Sequence, residues 1–473
     1  MTGLLLSAAA FFDYYELFRR VLPMAREENK MGYMPVKKLI VSMSLPMMAS
    51  MLVQALYNVV DSIFVARIGE EALTAVSLAF PLQNLMIAVA SGTGVGINAL
   101  LSRSLGEKRF DRSDAAANNG LLLTLFSYIL FLLIGLFGAR PFLSTQISDD
   151  TIIGYGTAYL QIVLCLSIGL FYQITFERLL QSTGRTIYSM ISQATGAIIN
   201  IIFDPIMIFG LFGFPKMGVA GAALATVLGQ VIASFIGMYL NIRKNTDITF
   251  SLRSMFSPQA DVIREIYFVG IPSVLMMSIG SFMTYLMNQI LIVFSTTAAA
   301  VFGVYFKMQS FFFMPVFGLN NGLIPVLAYN YGAKKRERIK EALKFSMLLA
   351  ASIMIAGTVI FHLFPSQLLD MFNASEHMKS IGIPALRIIS LSFPLAAAGI
   401  VMGSIFQAFS RSIYSLIISL CRQLVVLVPV AWLLSKLGDV TIVWWAFPIS
   451  ELVSIVISVY FFRKLYNSTV RNL

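Results

Sequence analysis

The chain has 473 residues, 58% of them hydrophobic and 12% charged, with a formal net charge of +11. A soluble protein carries about 25% charged residues to wet its surface, so the outer faces of this chain are stable only against lipid. Two histidines and two cysteines leave little for a catalytic metal cluster, and Cys165 and Cys421, each alone in an apolar run, suggest neither a disulfide framework nor a zinc site.

The first thirty residues make a poor signal peptide. Residues 4–12 are apolar, but no basic residue precedes them and Asp13 and Glu16 follow. A short interfacial helix, or an overlong start before Met31 or Met34, is expected, and residues 1–34 receive no function. Segments of about 20 mostly apolar residues span the hydrocarbon. Six such segments lie near 39–66, 73–102, 115–138, 152–176, 186–209 and 217–241, predicting a first lobe over 35–242. A linker at 243–264, with Ser257-Pro258 and four basic residues, precedes six more near 265–294, 299–329, 342–364, 382–406, 413–435 and 440–462. These predict a second lobe over 265–473 that ends in a short tail.

Lys and Arg in the connectors set orientation. Counting the N-terminus, alternate connectors and the tail, one side holds 25 of the 34 basic residues and the other holds five. Both termini are therefore expected in the cytoplasm. The positive charge is explained by topology, without a nucleic-acid partner.

The halves repeat. One constant offset aligns Pro46 with Pro272, Phe80 with Phe306, Gln83 with Gln309, Gly96 with Gly322 and Gly106 with Gly332, without a gap. Scattered Leu and Ile matches arise by chance, but Pro, Gly and Gln at one offset point to duplication. Units of six spans enter the membrane in one orientation, so a pseudo-twofold axis near the membrane normal is expected, a plan of transporters that rock one half against the other.

Carboxylates deep in spans cost roughly 2.5–3.5 kcal/mol on insertion scales and need a partner or a purpose. Asp61 and Asp204 fall about six and five residues from the same ends of the first and fifth spans, nearly equal depths, roughly 9 Å in at 1.5 Å per residue. Asn200 lies one turn before Asp204 on the same face, and Pro205 leaves the Ile201 carbonyl without its usual partner. These oxygens suit Na+, and the same carboxylates suit a proton; plain hydrogen bonding to neighbouring helices is the competing reading. The same offset maps Asp61 to Met287 and Asp204 to Val430, so an acidic coupling site belongs to the first lobe alone. In the second lobe, Lys307 and Arg387 are expected to reach toward the membrane surface. Gln309, Arg422 and Glu451 are deeper polar positions, for substrate contact or for pairing between the last two spans. Pro46, fifteen residues before Asp61, is a candidate bend in the first helix.

Several stretches resemble multidrug and toxic compound extrusion (MATE) transporters, most closely the bacterial MepA-like branch. They are YNVVDSIFVARIG at 57–69, ERLLQSTGR at 177–185, NIIFDP at 200–205, GVAGAALAT at 218–226, Arg422-Gln423 and PISE at 448–451, and the likeness covers about 35–470. The resemblance implies an all-α membrane protein of twelve transmembrane helices in two six-helix lobes related by a pseudo-twofold. It also implies efflux of cationic, amphipathic drugs or dyes in exchange for Na+ or H+, with no cofactor and no catalytic residue. The family's first-lobe cation site maps onto Asp61, Asn200, Asp204 and Thr226. A multi-pass protein of the cell membrane, surrounded by lipids and acting as a monomer, is the expectation. Two other readings were weighed. A lipid-linked sugar flippase of the same superfamily would favour a wide basic cavity and often fourteen spans; a membrane-embedded enzyme would need clustered His or acids.

Overall fold

The computed structural model describes residues 28–372 and 374–473. The expected interfacial helix of the first thirty residues lies outside the described residues except at its end. There Asn29 accepts from the Met31 N–H and opens a short helix, Lys30–Tyr33. All regular elements among the described residues are helical. Ten helices are long and apolar enough to cross a membrane, and two bent pairs raise the number to twelve.

The first half comprises α1 (Val36–Ala66), α2 (Glu70–Gly106), α3 (Phe110–Ser144), the bent pair α4 (Asp150–Cys165) and α5 (Ile168–Ser182), α6 (Thr186–Phe209) and α7 (Val219–Lys244). The second half comprises α8 (Ala260–Ile292), α9 (Thr296–Gly332), α10 (Arg336–Leu363), the bent pair α11 (Glu376–Ser390) and α12 (Phe393–Ala408), α13 (Ser412–Leu420) and α15 (Ala446–Ser468). Between α13 and α14 (Val428–Ser435), residues Cys421–Leu427 form a π-helical stretch that continues the same span. It ends two residues before Pro429, which has no N–H to close an ordinary helical turn. Capping is local. Asp149 accepts from the Thr151 and Ile152 N–H groups, Ser295 from Ala298 and Ser375 from Met378. Gly210 closes α6 at φ +75°, a left-handed conformation that favours glycine.

The fourth and tenth spans differ from the sequence expectation of continuous helices. Each is broken by 46°, between Cys165 and Ile168 and between Ser390 and Phe393. These are nearly equivalent positions in the repeat. At each break a serine turns back on the helix it ends: Ser167 donates to the Leu164 carbonyl at 2.7 Å and Ser392 to the Ile389 carbonyl at 2.6 Å. Competition of this kind loosens a helix, and at the second break Pro394, the second residue of α12, also lacks the N–H that a continuous helix would need. Helices also run further than expected. With 37 residues each, α2 and α9 extend about 55 Å, well beyond a hydrocarbon core of roughly 30 Å.

The halves meet along α1 with α9 and α2 with α8. Glycine lets the backbones touch. A Cβ on Gly92 would stand 2.8 Å from the Val274 nitrogen, and one on Gly318 2.6 Å from the Met48 nitrogen. The offset that carries Pro46 onto Pro272 also carries Gly92 onto Gly318 and Met48 onto Val274, so either contact converts into the other. Gly106 against the Tyr329 carbonyl and Gly332 against the Arg103 carbonyl form a second interchanged pair. The duplication is therefore also a pseudo-twofold seam, concentrated toward the face that holds both ends of the described chain. On that face Arg338 donates to the Met31 and Met34 carbonyls at 3.0 and 2.7 Å. Asn29 donates to the Thr183 carbonyl at 2.9 Å. Residues 29–34 thus strap the two halves together. The linker lies on the end of α3, with Thr249, Ser251 and Gln259 donating backbone N–H groups to Asp114, Asn118 and Asn119.

Candidate ion-coupling site

Each half encloses a polar cluster. In the first, α6 carries Asn200 and Asp204 one turn apart on its buried face, 2% and 0% exposed. With its NH2 turned to Asp204 Oδ2 at 3.2 Å, the Asn200 carbonyl accepts from the Thr226 hydroxyl and backbone N–H, both at 3.1 Å. This orientation satisfies every partner, so Asn200 ties α6 to α7. Asp61 of α1 brings its carboxyl within hydrogen-bonding reach of Asp204. The four residues Asp61, Asn200, Asp204 and Thr226 therefore converge from three helices, as the matched depth of the two acids suggested.

Two tyrosines complete the surroundings. Tyr57, one turn before Asp61, and Tyr159 of α4 are close enough to both carboxyls to feel their charge. Tyr159 donates to Gln83 Oε1 of α2 at 3.3 Å. Neither tyrosine was singled out from sequence. Tyr57 opens the stretch at 57–69 that carries the resemblance and shares the helical face of Asp61, whereas Tyr159 left no signal.

From this cluster a cavity of about 120 Å³ runs within the first half, lined by Asn200 and Thr226 at one end and by Gln54, Gln193 and Gln230 along its course. Gln193 donates to Gln54 at 3.0 Å. At the far end Glu177 accepts from Gln173 at 2.9 Å, and Arg178 donates to Gln181 and to Asn321 of α9, each at 3.0 Å. Arg178 corrects one sequence assignment. It falls in the connector that the sequence puts between the spans near 152–176 and 186–209, but is buried inside α5, where its bond to Asn321 crosses between halves.

Two carboxyls in contact away from water repel each other unless a positive charge lies between them. A proton or a monovalent cation meets that demand, and Asn200 and Thr226 add neutral polar groups. Among the described residues no group of three or more His, Cys, Asp or Glu is arranged to hold a metal. The geometry suits reversible occupancy by one small cation.

The other sequence candidates lie elsewhere. Pro46 is inside α1, which remains one helix from Val36 to Ala66. Gln309 accepts from the Tyr305 hydroxyl at 2.7 Å, and Arg422 donates to Glu451 at 3.1 Å, both in the second half. Lys307 and Arg387 are exposed. Cys165 and Cys421 are free thiols, outside any disulfide.

A bundle crossing the membrane up to twelve times, built from two related halves around a buried polar cavity with paired acids, is the architecture of a secondary transporter. Comparison with known proteins gives the family. The MatE family model matches residues 46–206 and 272–433, two segments that begin at the equivalent prolines of the repeat, Pro46 and Pro272. The chain belongs to this family of membrane transporters.

Among its relatives, "Multidrug export protein MepA" of Staphylococcus saprophyticus is 26% identical over 411 residues, 87% of this chain and 90% of that protein. A "FAD transporter" of Shewanella oneidensis is 26% identical over 430 residues, 88% and 92% of the two chains. An outward-facing multidrug resistance MATE family transporter of the MOP superfamily superposes with a TM-score of 0.89. It is 26% identical, and the match covers 95% of this chain and 100% of that one.

Proposed function

We propose that this protein is a secondary exporter of the cell membrane that moves cationic amphipathic drugs or dyes outward in exchange for Na+ or H+. Both termini lie in the cytoplasm, and the working unit is a single chain surrounded by lipid. The carrying observation is the contact of Asp61 with Asp204 inside the first half, with Asn200 and Thr226 around it. The pair takes up a cation from the outer side, which favours release of the drug, and gives it up on the inner side. Charge distribution supports this orientation, because the face bearing the strap and linker is also the basic one. The multidrug-export relatives support the substrate class. The glycine seam toward the cytoplasmic face supports a closed inner gate.

The test is efflux of a cationic dye from cells bearing Asp61→Asn or Asp204→Asn, with membrane insertion measured in parallel. Each variant is expected to insert as the parent does and to lose at least tenfold in efflux. Unchanged efflux in both variants refutes the coupling role.

A further inference from the structure

The second half has no acid at the places of Asp61 and Asp204, but it is not apolar there. The repeat offset puts Arg422 in the place of Gly196, Gln309 in that of Gln83, and Glu451 beside the counterpart of Thr226. Gly196, Gln83 and Thr226 all line the cavity of the first half. By that offset Arg422 holds, in the second half, the helix position that the cavity-lining Gly196 holds in the first.

Its bonding is incomplete. Among the described residues the guanidinium makes one hydrogen bond, from Nη1 to Glu451 Oε1 at 3.1 Å. An arginine side chain has five N–H donors in a planar fork, so an edge of the fork is left for another acceptor. The side chain is 27% exposed, against 12% for Glu451. Glu451 thus neutralises and orients an arginine that remains reachable. Arg422 also stands in the π-helical stretch Cys421–Leu427, a departure from α-helix often found at functional sites. Tyr305 is close to both charges. Its ring stands 5.6 Å from Phe306 and 6.0 Å from Phe447, so a cluster of rings packs beside the charged pair.

We infer that Arg422, held by Glu451, anchors a second binding site that takes the carboxylate of an aromatic, amphipathic substrate. The planar fork accepts a carboxylate through two parallel hydrogen bonds, while the rings beside Tyr305 carry the apolar body. This site rests on the transport reading, yet its test is equilibrium binding and needs no ion coupling.

The probes are rhodamine 110, which has a free carboxylate, and its methyl ester rhodamine 123, which has the same rings. Fluorescence polarisation with the purified full-length protein is expected to show Arg422→Gln weakening rhodamine 110 at least tenfold, with rhodamine 123 within twofold of the parent. Arg422→Lys keeps the charge but lacks the fork. It is expected to lose most of the discrimination too, and it carries the test if the glutamine variant does not fold. Equal weakening of both dyes, or no change in either, overturns the proposal. Binding is read at equilibrium with no gradient imposed, whereas coupling is read as efflux in Asp61→Asn and Asp204→Asn, so failure of the coupling mechanism and failure of this site are told apart.

Discussion

Asn200 is the residue whose neighbours make the sharpest prediction. Its amide donates to a buried carboxyl and accepts twice from Thr226. Asn200→Leu conserves most of the volume and removes all three bonds. A hydrogen bond to a charged group contributes about 1.5–3 kcal/mol, so cation-driven transport in proteoliposomes should fall more than tenfold. Thr226→Ala removes only the hydroxyl, and the backbone N–H still reaches Asn200. A loss of two- to fivefold is expected in the same assay. An equal loss in the two variants would show that the amide is not the organising group. At this scale the sequence was informative where chemistry is expensive. Two acids in apolar helices at matched depth announced their own proximity. The glutamines lining the cavity and the Tyr57 and Tyr159 hydroxyls did not, because such residues are unremarkable in a span until packing brings them together.

Among the elements, the repeat allows a paired experiment. Gly106 and Gly332 make interchanged contacts against the Tyr329 and Arg103 carbonyls, with no room for a Cβ. Gly106→Ala and Gly332→Ala should each force backbone movement costing about 1–3 kcal/mol or more. Both should lower the melting temperature in detergent by similar amounts, whereas Gly303→Ala, which meets nothing within 4 Å, should leave it unchanged. Unequal losses would argue that the seam is not symmetric in energy. The duplicated glycines were legible in sequence, although their purpose was not. The break near Ser167 left no trace because hydropathy averages over a window and registers no change when a serine hydroxyl competes for a helical carbonyl, whereas the one near Ser392 is marked in the sequence by Pro394.

For the whole molecule, the open question is which gradient does the work. Dye flux in proteoliposomes, with Na+ and proton gradients imposed separately, is expected to respond to at least one of them and to disappear when both are collapsed. Flux that persists without either gradient would exclude antiport. Span number and halves were legible because lipid imposes length and apolarity on every crossing helix. The assignment of Arg178 to a connector failed for the opposite reason: a cation that bonds across the seam is tolerated inside a helix, where composition alone would not put it.

The backbone contacts at Gly92 and Gly318 have a bearing on leakage. Where two helices touch main chain to main chain, no interdigitated side chains must be pulled apart and repacked when one half tilts. At Gly92 and Gly318 the backbones leave no room even for a methyl group. A seam of this make would stay closed to ions while one half tilts against the other.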